Sequence, residues 1–177
     1  MNYSLIRNCD IANGPGARVS LFVSGCTHHC PGCFQPETWD FAHGTPFTKQ
    51  SAELIFSMLE PWYIEGLTLL GGEPFESENQ QALLPFVQEV RRRFPNKTIW
   101  AYSGFTLEEL QNRAGGIGEV SKVLLNQIDI LVDGRFVEAK KNLRLKFCGS
   151  SNQRLIDLKK TEAAAGKIVL WEDPNGD

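Results

Sequence analysis

Strand-like apolar runs alternate with amphipathic helical stretches along most of this chain, and that alternation restricts its fold more than any other feature. Arg18 to Ser24 reads as a strand. Lys49 to Glu60 carries Ala52, Ile55, Phe56 and Leu59 at helical spacing and stops at Pro61. A strand at Leu67 to Leu70, a helix from Asn79 to Phe94 and a strand at Thr98 to Tyr102 follow. Thr106 is placed to cap a helix over Leu107 to Arg113, with Glu108 and Glu109 in its first turn, and Ile128 to Val132 is the next strand. Beyond residue 140 the pattern weakens to two short strand candidates, Leu143 to Phe147 and Ile168 to Trp171. Such alternation predicts an α/β fold with a parallel sheet, right-handed crossovers and functional loops at the strand C-terminal ends. At 177 residues the chain is too short for a closed eight-stranded barrel, which typically takes about 250. The expectation is a single domain over residues 1–177, an open partial (β/α) barrel of about five or six parallel strands. A flavodoxin-like doubly wound sheet is the competing architecture.

Three of the predicted strands run into loops that carry chemistry. The first is Cys26-Thr-His-His-Cys30-Pro-Gly-Cys33, a C-x3-C-x2-C run. A closed zinc site or an ordinary iron–sulfur cluster takes four protein ligands, so three thiols leave one coordination position for something else. Gly71-Gly72-Glu73-Pro74 follows the second strand: glycines let the backbone approach a ligand, Glu73 offers a carboxylate suited to an ammonium group, and Pro74 stiffens the turn. Taken alone, it reads equally well as a tight strand-to-helix turn. Ser103-Gly104 ends the third strand. A parallel sheet places all three loops on one rim. Five cysteines, three of them within eight positions, fit metal or redox chemistry better than a disulfide framework. Cys9 and Cys148 read as small buried hydrophobes, and His28 or His29 could complete a Cys3His zinc site.

The charge balance, 18 basic against 21 acidic residues for a net charge of -3, gives no broad pull toward nucleic acid or an anionic membrane. Arg91, Arg92 and Arg93 form the one dense basic cluster, read as helix C-terminal charge on a solvated face. Asp129 and Asp133 bracket an apolar strand and read as solvent-facing caps. Without an apolar signal core or a stretch of roughly 18 uncharged residues, a cytoplasmic location is expected.

The cysteine motif followed by Gly-Gly-Glu-Pro resembles the radical S-adenosylmethionine (radical SAM) superfamily and its small glycyl-radical-enzyme activases. Asp10-Ile-Ala-Asn-Gly-Pro-Gly-Ala-Arg18, Ile99-Trp-Ala-Tyr-Ser-Gly104, Asp129-Ile-Leu-Val-Asp-Gly-Arg-Phe136 and Gly149-Ser-Ser-Asn-Gln-Arg154 narrow the resemblance to the anaerobic (class III) ribonucleotide reductase activating proteins. The resemblance implies that Cys26, Cys30 and Cys33 hold three irons of a 4Fe-4S cluster whose fourth iron binds SAM. It implies that Gly32, Cys33, Phe34 and Gly72 line the SAM site, with Glu73 near the methionyl amine. Reductive cleavage of SAM would yield a 5'-deoxyadenosyl radical that takes a hydrogen atom from a glycine Cα of the reductase subunit. A flavodoxin-like or ferredoxin-like protein would supply the electron. Many superfamily members carry an aromatic residue before the third cysteine, where this chain has Gly32; Phe34 either takes over packing on adenine or belongs to the core. Ser103, by its place at a strand end, is a candidate contact to ribose or carboxylate. The alternatives are a radical SAM enzyme acting on a small molecule, such as a deazapurine-forming synthase, and a non-enzymatic Cys3His metal module.

Overall fold

Seven strands form one mixed sheet in the computed structural model of the chain, which describes residues 1–173. In chain order the strands are β1 (Asn2–Asp10), β2 (Ala17–Val23), β3 (Thr45–Pro46), β4 (Ile64–Gly71), β5 (Thr98–Tyr102), β6 (Ile130–Asp133) and β7 (Arg154–Asp157). The helices are α1 (Lys49–Leu59), α2 (Ser77–Arg93), α3 (Leu107–Gln111), α4 (Gly115–Leu125) and α5 (Leu158–Ala163). Across the sheet the order is β3-β1-β2-β4-β5-β6-β7. The two ends do not meet, so the sheet is open.

The parallel part is smaller than the sequence suggests. Only β2, β4, β5 and β6 pair in parallel, whereas β1, β3 and β7 are antiparallel. Connection chemistry explains the difference. A parallel pair needs a crossover helix, and α1, α2 and then α3 with α4 supply one each; β1 and β2 are joined by only six residues, which allows a hairpin but no crossover. Asp10 shapes that short link by accepting from Ala12 N at 2.9 Å and from Asn13 Nδ2 at 2.6 Å.

Alternation along the strands divides the sheet into two unlike faces. Val19, Leu21 and Val23 of β2, Leu67 and Leu69 of β4 and Ile99 of β5 face the main core, where they meet Ile55 and Leu59 of α1 and Leu83, Val87 and Val90 of α2. The other face carries a second cluster of Trp100, Ile130 and Val132, covered by Phe147, Cys148, Leu155 and Trp171 from the C-terminal third rather than by a helix. A doubly wound sheet would bring helices to both faces, so that architecture is excluded. Arg18 lies fully buried and gives N–H bonds to Thr68 Oγ1, Thr98 Oγ1 and the carbonyls of Leu67 and Thr98. Burial pulls its pKa down to about 10.

Leu143 to Phe147 forms no strand. Arg144 N donates to Asn142 Oδ1 and Leu145 N to Asn142 O, so the chain turns on Asn142 and the stretch is a folded loop. Ile168 to Trp171 contributes one bridge, Leu170 to Ile156. Asp133 is fully buried, not a solvent-facing cap: it accepts from Leu107 N at 2.7 Å and from Arg154 Nε at 2.9 Å. Asp129 accepts from Ile99 N and from Arg91, so Arg91 is tied to the sheet while Arg92 and Arg93 pair with Glu89 on the helix surface.

Gly66 gives the fold a sharp test. A Cβ there would lie 1.8 Å from the carbonyl oxygen of Thr98, its partner across β4 and β5, and backbone cannot yield as a side chain can. Gly66→Ala is expected to cost about 3 kcal/mol or more in chemical denaturation. Gly116→Ala, where nothing lies within 4 Å, should be neutral or stabilising.

Candidate functional site

The loops following β2, β4 and β5 converge at the C-terminal edge of the parallel strands, as the rim expectation requires. Backbone bonds stitch the first two together: Gly72 N donates to Val23 O at 2.7 Å and Glu73 N to Gly25 O at 2.9 Å. Gly25 N and Cys26 N donate in turn to Thr38 O and Trp39 O, which fixes the start of the cysteine loop. Glu76 secures the next residue by accepting from Thr27 N at 2.8 Å. Asn79, fully buried in the first turn of α2, donates to the carbonyls of Ser24 and Glu73. Gly72 must be glycine for this junction itself, since a Cβ would meet Gly25 O at 2.6 Å and Thr38 O at 3.0 Å.

Glu73 ties the third loop in. Its side chain is 1% exposed and fully engaged. Oε1 accepts from Phe75 N at 2.9 Å and Ser103 Oγ at 3.0 Å; Oε2 accepts from Gly104 N at 2.7 Å. His28 Nε2 lies 3.0 Å from Oε2, and a carboxylate can only accept, so His28 donates there. One carboxylate thus clasps the cysteine loop, the Gly-Gly-Glu-Pro turn and the end of β5. Ser103, 5% exposed, spends its hydroxyl on this clasp and on Phe105 N.

Beneath the clasp opens a cavity of about 590 Å³ on the helix-free face of the sheet. Cys26, Cys30 and Cys33 all line it, together with Phe34, Gly72 and Glu73, and all three thiols are free. Burial pushes the Cys26 thiol up to about 12 and raises that of Cys30. A thiolate is therefore disfavoured there unless a cation compensates it, which is what a bound metal does. Among the described residues, no three or more His, Cys, Asp or Glu side chains are close enough to share a single ion. Three cysteine thiols lining one cavity are the donor chemistry an iron–sulfur cluster uses, so the residues present fit such a group.

Other site candidates fall as follows. Gly32 adopts φ +71°, and a Cβ would run into the Glu138 carboxylate at 2.8 Å. Phe34 is not a core residue: it is 58% exposed, with Phe136 at 5.1 Å and the Lys141 ammonium at 5.0 Å from its ring. His29 packs on Trp39 at 4.8 Å. Cys9 is exposed rather than buried, and Cys148 lines the cavity, half-buried. The clasp by His28 and the brace by Asn79 were invisible in the sequence, where His28 stands only as one of two alternative fourth ligands for a Cys3His site and Asn79 as the start of a helix. Tyr102, whose hydroxyl is buried in the cavity wall without a hydrogen-bond partner, belongs to the quoted Ile99 to Gly104 motif.

The chain is similar to known proteins over most of its length. The family described as a 4Fe-4S single cluster domain matches residues 12–156, which include every residue of the clasp and all three clustered cysteines. An anaerobic ribonucleoside-triphosphate reductase-activating protein of Escherichia coli K12 is 41% identical over 155 residues, covering 86% of this chain and 96% of its own. The proteins of the same name from Haemophilus influenzae and Enterobacteria phage T4 are each 40% identical, covering 86% and 88% of this chain and 96% and 93% of their own. The chain belongs to the family of anaerobic ribonucleoside-triphosphate reductase-activating proteins.

Proposed function

We propose that this protein is a radical SAM activase that generates a glycyl radical on the catalytic subunit of an anaerobic ribonucleotide reductase. The observation that carries the reading is the convergence of three free thiols, the Gly71–Pro74 turn and the end of β5 on one cavity, in a chain of this family. Cys26, Cys30 and Cys33 would hold a 4Fe-4S cluster with one iron open to SAM. When bound, that cluster supplies the electron that splits SAM to methionine and a 5'-deoxyadenosyl radical, which abstracts hydrogen from a glycine Cα.

The chain's own residues bind, orient and keep out water. Gly72 offers backbone at the cavity wall, whereas Gly32 lies outside that wall with its α-carbon turned toward the Glu138 carboxylate, so its contribution is to the turn of the cysteine loop. Glu73, held rigid by four donors, fixes the distance between the cysteine loop and the end of β5 and presents negative charge beside the methionyl amine. Ser103 keeps Glu73 in place. Phe34, exposed at the cavity and backed by Phe136, supplies an aromatic face for adenine. Leu70 and Phe147 add apolar wall, which limits water near a reactive carbon radical. We place the reaction in the cytoplasm, with a flavodoxin-type or ferredoxin-type protein as electron donor. Among the described residues no helix is long and apolar enough to cross a membrane.

Anaerobic reconstitution with iron and sulfide tests the reading. The reduced protein should change its paramagnetic resonance spectrum on addition of SAM, cleave SAM, and produce a glycine-centred signal on the reductase subunit. SAM cleavage that never yields a glycine-centred radical on any reductase subunit would falsify it.

A further inference from the structure

The segment from Arg135 to Lys146 touches the cavity through Phe136, whose backbone reaches Cys30, and otherwise runs along the mouth. It carries Arg135, Lys140, Lys141, Arg144 and Lys146 against the single acid Glu138, in a chain whose net charge is -3. All five cations are exposed. Among the described residues, Lys146 pairs with Asp173 and no ion pair engages the other four. The base of the segment is pinned: Lys141 bridges Ser150, Ser151 N donates to Lys140 O, and Val137 N donates to Ser150 Oγ. Asn142 N donates to Gly149 O, and the tip beyond it turns on Asn142, which accepts from Arg144 N and Leu145 N; there Leu143 stands 84% exposed while lining the cavity mouth.

Other exposed apolar side chains lie at or beside the same opening. Ile11, 76% exposed, precedes Ala12 and Asn13 of the mouth's opposite side, and Phe34 lies inside the rim. Large side chains left in water around one opening, beside exposed cations, mark a surface that a protein partner covers. A small metabolite would enter without needing that apolar rim.

We propose that Arg135–Lys146 is the docking surface for the reductase polypeptide, which presents an acidic stretch to the cations and apolar side chains to Leu143 and Ile11. The partner's identity rests on the function proposed above; the surface itself rests on charge, exposure and continuity with the cavity. A polypeptide seated there has its nearest loop at the mouth, in line with the thiols. The pinned base means that docking orders little of the activator beyond the tip around Leu143, which limits the entropy lost on association.

The test measures binding of the intact activator to the catalytic subunit of the reductase from the same organism, separately from SAM chemistry. Neither Lys140 nor Arg144 lines the cavity. The double variant Lys140→Glu/Arg144→Glu is expected to weaken the dissociation constant at least about tenfold. Wild-type binding should weaken with added salt, since the Debye length falls below about 8 Å above physiological ionic strength. SAM cleavage by the dithionite-reduced variant without reductase should match wild type. Leu143→Ser, which changes no charge, should also weaken binding and stands in if the double variant does not fold. Unchanged affinity in these variants overturns the proposal. So does a defect seen only when reduced flavodoxin replaces dithionite, because the surface would then serve the electron donor. A wild type that binds the reductase but never cleaves SAM strikes the functional reading instead, and the binding data still decide the docking surface.

Discussion

Glu73→Ala is expected to lower folding stability by about 3 to 5 kcal/mol and to abolish SAM binding in the same protein. The side chain is buried, and four donors converge on it: Phe75 N, Gly104 N, the Ser103 hydroxyl and His28 Nε2. Alanine would leave them buried and unpaired, each at roughly 1 to 3 kcal/mol, reduced by whatever water enters the gap. The loss is also geometric, because these donors sit on three different loops and nothing else links His28 to Gly104 through polar contacts. Ser103→Ala removes one donor and keeps the carboxylate bonded to the rest, so about 1 kcal/mol is expected from it. Glu73→Gln keeps the shape but turns an amide N–H₂ toward donors, and should fall between the two. Denaturant titration at constant m-value, with SAM affinity by calorimetry on the reconstituted protein, checks the series. A Glu73→Ala protein as stable as wild type would show that the clasp does not hold the site.

Much of this site was legible before folding because its parts follow strands. A run such as Leu67 to Leu70 announces a buried parallel strand, and whatever succeeds it must lie on the rim. Hence the cysteine loop, Gly71–Pro74 and Ser103-Gly104 could be placed together without coordinates. Thr106 likewise caps α3 as its position suggests, in a reciprocal box with Glu109. Illegible parts depend on partners far away in sequence. Nothing in His28-His29 distinguishes a ring that clasps Glu73, 45 residues on, from a metal ligand. The strand β1 escaped notice because Asn2 to Asp10 is largely half-buried or exposed and lacks a clean period of two. The helix α4 starts Gly-Gly-Ile-Gly with no side-chain cap, so local propensity argues against it, and packing of Leu124 and Leu125 into the main core overrides that. Leu143 to Phe147 fails as a strand for the opposite reason: its period looks right, but Asn142 accepts from Arg144 N and Leu145 N and turns the chain first.

Single replacement of Cys26, Cys30 or Cys33 by alanine should separate folding from cofactor retention more cleanly than any other change. The cysteine loop is held by its backbone, through Gly25 N to Thr38 O, Cys26 N to Trp39 O and Glu73 N to Gly25 O, none of which needs a thiol. Each variant is therefore expected to fold within about 1.5 kcal/mol of the unreconstituted wild type. Cluster retention should fail outright. Two thiolates leave two irons without protein ligands, and the burial that raises the Cys26 and Cys30 thiols makes a partly liganded site still less able to hold charge. Iron and sulfide after anaerobic reconstitution should drop from about four of each per chain to under about one, with loss of the brown absorbance. SAM cleavage should fall to background. Cys148→Ala is the control from the same cavity: its thiol is free and half-buried but belongs to none of the three loops of the clasp. It should retain full iron and full SAM cleavage. Wild-type protein that binds stoichiometric zinc and no iron, or a Cys33→Ala protein with wild-type iron content, would remove the basis for assigning a cluster to this cavity.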